Sequence, residues 1–361
     1  MTSRRHFLAG LAAASLTPVQ GWASVGAPDY LAAALFPDGT YRLAGLETGG
    51  DIVFSLPLPA RGHAAAAHPK RAQAVAFARR PGTFAIVIDC TTGTEIARLE
   101  APVGRHFYGH GIFSLDGTRL FTTENDYEAG EGVIGIWDAD DHTRLGEFSS
   151  GGIGPHDMRL MPDGQTLVIA NGGIETHPET GRTKLNLPVM QPRLSYVDLS
   201  GSVLEQVELP RALQKNSIRH LAMRQDGLVG FAMQWQGDKT QHPPLLGLHR
   251  RGETPRLLSA AETDQSSLQG YAGSIAFAGD GETIAITCPR GNALHQYSIA
   301  NETLAHAYHL EDVCGLGSGP DGFVFTTGTG IVGQLSGKQA RVAARPDCQW
   351  DNHLIPIRTT V

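Results

Sequence analysis

The stretch Gly154–Asn171, GPHDMRLMPDGQTLVIAN, sets two strand-length apolar segments around a Pro-Asp-Gly turn and opens on a His-Asp pair that no sheet requires. The same plan recurs along the chain. It appears in GHAAAAHPKRAQAVAFA from Gly62, YGHGIFSLDGTRLFTTEN from Tyr108, IRHLAMRQDGLVGFAMQ from Ile218, GYAGSIAFAGDGETIAITC from Gly270 and VCGLGSGPDGFVFTTG from Val313. After most of these comes a third strand such as GVIGIWDAD or RLSYVDLSG, then a fourth such as HTRLGEFSS. A four-stranded unit returning every ~40 to 60 residues is the signature of a propeller blade.

Six units begin near Gly62, Gly109, Gly154, Ile218, Gly270 and Val313. A seventh is split. The C-terminal NHLIPIRTT supplies an innermost strand with no successors, and the segment from Tyr30 to Leu58 supplies three strands with no innermost one. Joining them closes the ring and hides its edges, so the expected fold is an all-β, seven-bladed β-propeller over residues 24–361. Composition agrees: 44 Gly, 21 Pro and only 18% charged residues suit short strands and tight turns rather than surface helices.

Residues 1–23 read as an export signal. Two arginines, Arg4 and Arg5, precede an apolar run from Phe7 to about Val19 that is too short to anchor in a bilayer. Ser3-Arg4-Arg5-His6-Phe7-Leu8 resembles the twin-arginine motif, and Gly21-Trp22-Ala23 offers small residues for a signal peptidase. The expected location is therefore the periplasm, with no membrane insertion after processing. A formal charge of −7 and the lack of any basic run argue against nucleic acid, and the expected product is a monomer. Cys90, Cys288, Cys314 and Cys348 lack zinc-ribbon spacing, and one disulfide remains open among them.

In a propeller the innermost strand of each blade lines the channel, and the residue just before it sits at one channel mouth. There the seven units carry His63, His110, His156 with Asp157, His220 preceded by Arg219, Ser274, Cys314 and His353. Loops between second and third strands emerge at the same mouth and bring Glu124, Asp126, Asn171, His177 and Trp235, with His106 close by in sequence. Histidine from five separate blades is the pattern expected of a metal site. Neutral imidazole binds first-row cations, and a ring of blades delivers one ligand each to a shared centre. The expected ligands are His63, His110, His156, His220 and His353, with Asp157 and Cys314 as further candidates. Glu124, Asp126, Arg219, Asn171, His106, His177 and Trp235 are candidates for the surrounding layer. A single histidine at a strand start more often bonds a carbonyl; recurrence favours the metal. No Gly-x-Ser-x-Gly elbow, phosphate-binding glycine loop, Cys-x-x-Cys-His or His-Glu-x-x-His is present.

The leader together with GHxxxxHP, YGHGxFSxDGxxLxxTEND, GPHDxxxMPDG, IRHLA and WDNHL resembles the bacterial exported family known as domain of unknown function 1513. The resemblance implies a quinoprotein amine dehydrogenase-like or WD40/YVTN-like propeller. It also implies a periplasmic role in iron handling, with imelysin-like or di-haem proteins as partners. The histidine hub is more distantly similar to that of nitrous oxide reductase, which binds copper at one mouth of such a propeller. Here there is no appended copper domain and no full histidine ring, so that reaction is not implied. The combined expectation is a metal-binding propeller holding iron or copper. Its rivals are a metal-dependent oxidoreductase and a metal-free interaction scaffold.

Overall fold

A computed structural model describes residues 20–79, 84–181 and 183–357. The expected leader lies outside them except for its last few residues. Of those, Trp22 is buried in an apolar cluster with Ala72, Ala74, Ile88 and Cys90, and its Nε1 donates to the carbonyl of His68 at 2.8 Å.

Seven antiparallel sheets follow one another around an axis. Six are consecutive four-stranded blades. Their innermost strands are β4 (Gly62–Ala67), β8 (Arg105–Phe113), β12 (Pro155–Leu160), β16 (Asn216–Met223), β20 (Ser274–Phe277) and β24 (Val313–Gly319). The seventh blade joins both ends of the chain, as the sequence implies. Its β1 (Tyr30–Leu35), β2 (Tyr41–Leu46) and β3 (Ile52–Leu58) receive the innermost position from the C-terminus. That position is not one strand but two short ones, β28 (Gln349–Trp350) and β29 (Ile355–Pro356). Both pair with β1, leaving residues 351–354 looped between them.

Burial explains the strand patterns. Second strands such as β5 (Gln73–Ala78), β13 (Thr166–Asn171) and β25 (Gly322–Thr327) are buried at every residue, because neighbouring blades cover both faces. Outermost strands such as β23 (Leu304–His309) alternate exposed and half-buried positions, because only one face is covered. The core is therefore a series of apolar layers between blades, and the axis is left to polar side chains.

Four of the five histidines do not stand just before the innermost strands, as the sequence suggests; they lie inside them, at β-bulges, while His353 sits in the loop between β28 and β29. Pairing slips between Gly62 and Ala65, between Phe107 and Gly111, between Pro155 and Asp157, and between Ile218 and His220. An extra residue bends a strand and re-aims its side chains. His156 is the extra residue of its blade and Arg219 that of the next, which puts His220 at the register position of Asp157.

A candidate metal centre at the channel mouth

The five histidines converge. Ring centroids are 4.6 Å apart for His353 and His63, 4.9 Å for His63 and His110, and 5.1 Å for His110 and His156. The circle closes with 4.9 Å for both His156–His220 and His220–His353, although two blades between the last pair contribute no histidine. Those blades place Ser274 and Cys314 at the equivalent positions. Two groups bring one ligand atom per residue within 4.8 Å of one another: His63, His110 and His353, and His110, His156 and His220.

Within the first group, the Nε2 atoms of His110 and His63 face each other at 3.2 Å. Two nitrogens bound to one ion at about 2.0–2.1 Å in tetrahedral geometry would stand about 3.3 Å apart. The carboxylate of Asp157 lies 3.3 Å from Nδ1 of His110. A carboxylate there favours the proton on Nδ1 and leaves the Nε2 lone pair aimed into the ring. Nε2 of His353 and Nδ1 of His220 are buried with no hydrogen-bond partner. Buried polar atoms are normally satisfied, so these two mark a place where the protein alone leaves donors unused.

Burial, then the neighbouring positive charge of Arg219, His220, His110 and His63, holds His156 well below the usual imidazole range. His353 is lowered in the same way by burial and then by His63, His110 and His220. His220 is pushed down to about 3, chiefly by burial and next by His110. Each is a neutral imidazole at ordinary pH.

Asp157, a candidate ligand by sequence, has both carboxylate oxygens engaged by protein groups. Burial opposes its charge, but Arg159 and His110 more than offset this and hold its carboxyl well below the usual range. Its Oδ1 accepts from the backbone N–H of Met158 and from Arg159 Nη1, and its Oδ2 accepts from the N–H of Leu221 in β16. Cys314, the other candidate, is buried in an apolar cluster with Trp350 and Leu354, its Sγ faces the carbonyl of Thr326, and burial pushes its thiol up to about 12. All four cysteines are free thiols.

Of the surrounding candidates, Arg219 reaches the ring, its Nη1 donating to Nδ1 of His156 at 3.3 Å. Glu124 is turned into its own blade, in a two-pronged ion pair with Arg144 at 2.8 and 2.9 Å. Asp126 pairs with Arg105 at 2.9 Å. Asn171 ties Ser150 to Ser195. Trp235 donates from Nε1 to the carbonyl of Asp238. His106 stacks on Tyr127 with centroids 5.7 Å apart, and Tyr127 meets His177 edge-on at 5.1 Å, so both histidines belong to an aromatic rim outside the ring.

Sequence reasoning missed the charged layer around the mouth. Arg61 and Arg79 grip Asp351 at 2.6 and 2.8 Å, two residues before His353. Beside them opens a cavity of about 160 Å³ lined by Tyr41, Arg61, Asp312, Trp350 and Asp351. Asp351 in WDNHL was the available signal, since it precedes its histidine as a bracing acid would.

Comparisons with known proteins agree with this architecture. A search of curated proteins returns no match to the chain. Among solved structures, a chain described as Kuenenia stuttgartiensis hydrazine synthase superposes with a TM-score of 0.58 at 13% identity, covering 88% of this chain and 96% of that one. At that identity the likeness concerns the propeller fold alone. The profile of the family described as "Protein of unknown function (DUF1513)" matches residues 56–357, and the chain belongs to that family.

Proposed function

We propose that the protein binds one transition-metal ion at the histidine ring, through His63, His110 and His353 with His220 beside them, and serves in metal uptake or handling. The observation that carries this reading is the facing pair of Nε2 atoms at 3.2 Å, one of them oriented by a buried carboxylate. The partnerless nitrogens of His220 and His353 supply further donors. The full span of the ligand atoms exceeds what one bound ion allows, so loading draws the rings inward. Imidazole donors by themselves favour copper or zinc over iron. The setting implied by the family resemblance favours iron, and the twin-arginine leader supports loading before export into the periplasm.

The test is metal titration of the metal-free protein with iron(II), copper(II) and zinc, beside a His63→Ala/His110→Ala double variant, with elemental analysis of both. One ion per chain in the native protein and none in the folded variant is the expected result. Equal trace metal in the two would remove the site and leave the scaffold reading standing.

A further inference from the structure

His156 differs from His110 in what its outer nitrogen meets. At His110 the outer nitrogen faces a carboxylate, so it carries the proton and the inner one is a lone pair. At His156 the outer nitrogen receives a guanidinium, which can only donate. Its Nδ1 is thus the acceptor, and the proton of the neutral ring sits on Nε2. An N–H does not bind a metal; it donates a hydrogen bond. Yet the ring stands 5.1 Å from His110 and 5.6 Å from His63, centroid to centroid, against the triad.

The approach to this donor is basic. Lys184, in the loop after β13, donates from its ammonium to Oε1 of Gln236, just past Trp235. Tyr271, which carries Arg290 on its face, accepts at its hydroxyl from Asn352 beside His353. Burial and then the charges of Arg219 and Arg290 push the ammonium of Lys184 down, in keeping with this placement. Arg290 lies over the ring of Tyr271 at 4.2 Å. Among the described residues neither Lys184 nor Arg290 forms an ion pair, in a chain whose formal charge is −7. A Cβ at Gly172 would stand 3.5 Å from Arg219 Nε, so the guanidinium rests against loop backbone beside the channel. Lys184 and Arg290 near an N–H donor form a receptor for negative oxygen.

We propose that the metal centre is completed by a small anionic oxygen ligand, a carboxylate or an inorganic oxyanion, held by His156 and Arg219 and drawn in by Lys184 and Arg290. This rests on the metal site proposed above and names what occupies its remaining position. His156 is then a positioning residue for the anion rather than a metal ligand.

Copper(II)-loaded protein reports the anion through its visible and electron paramagnetic resonance spectra. Acetate and inorganic phosphate are titrated into the native protein and into Arg219→Gln, Arg219→Lys and Lys184→Gln/Arg290→Gln forms, after copper stoichiometry is measured in each. The expected result is a saturable spectral shift in the native protein. Its affinity should fall about tenfold to a hundredfold in Arg219→Gln, the worth of one charge-assisted hydrogen bond, with partial recovery in Arg219→Lys. The lysine–arginine double variant should flatten the salt dependence of anion binding. A stronger response to acetate identifies a carboxylate ligand, and a stronger response to phosphate an oxyanion. Loaded protein whose spectrum neither anion moves, or an Arg219→Gln form that binds as the native protein does, overturns the proposal and leaves the metal site intact. Failure of the native protein to take up copper overturns both.

Discussion

Four donors meet on the two oxygens of Asp157: His110 Nδ1, Arg159 Nη1 and the N–H groups of Met158 and Leu221. One side chain therefore orients His110, a proposed ligand, and ties β12 to β16. Asp157→Asn removes the charge and offers a donor where acceptors are needed. Metal affinity should fall about tenfold to a hundredfold, as for other groups that brace a ligand histidine. Stability should fall by about 1–3 kcal/mol, since a buried N–H loses its acceptor. Titration calorimetry and urea unfolding of the variant check the two effects separately, and unchanged metal affinity would reduce Asp157 to a purely structural brace. A pH dependence follows from histidines remote from the ring. Burial, and for His68 also Arg71, holds His68 and His295 at about 4 against an ordinary 6.5. Below 6.5 the unfolded chain takes up protons that the folded one refuses. The stability these groups contribute is whole above about pH 6.5 and is lost as pH falls toward 4. Urea midpoints of metal-free protein at pH 7.5 and 4.5 should differ less in a His68→Asn/His295→Gln variant than in the native chain. An equal or steeper loss in the variant would contradict the assignment.

Bulged innermost strands are the elements that make the ring. Gly109 holds φ +101°, and a Cβ there would lie 2.6 Å from Cδ2 of His63. The bulge between Phe107 and Gly111 thus needs a left-handed residue, and His63 needs the space that glycine leaves. Gly109→Ala should lower stability by about 1–3 kcal/mol through backbone strain. It should also displace His63 from His110, so that metal binding weakens while circular dichroism stays that of an intact propeller. Metal binding equal to that of the native chain would show that the ring tolerates the shift. The repeat of turns and the recurring histidine in five of seven blades were legible in the sequence, because His110, His156 and His220 stand six, seven and six residues ahead of Asp116, Asp163 and Asp226. The bulges were not: one inserted residue reverses which side chains face the axis, and that parity decides the rest. Glu124 lies near the mouth in sequence, yet its side chain enters its own blade beside Arg144. In the same way His156 and His220, aligned as histidines, occupy different register positions, and Arg219 rather than His220 is the counterpart of His156.

Across the whole molecule the ring closes through the chain termini, and the same closure completes the candidate site. Residues 349–356 bring His353 to within 4.6 Å of His63, Asp351 to Arg61 and Arg79 of the first complete blade, and buried Trp350 to the core beside Cys314. Folding of the last blade and assembly of the mouth are therefore one event. A chain ended after Ala344 exposes the inner edge of β1, a row of unpaired backbone groups able to pair with another molecule. Trp350→Ala alone should cost about 3–5 kcal/mol, the usual range for emptying a large buried aromatic site. The truncated chain should lose its single cooperative melting transition and associate, as read by calorimetry and by light scattering during size exclusion. His353→Ala in the full-length chain separates closure from chemistry: it should remain a single species with a melting transition near the native one while losing most of its metal affinity. A truncated chain that stays dispersed and melts as the intact one does would show that β28 and β29 decorate a ring already closed without them.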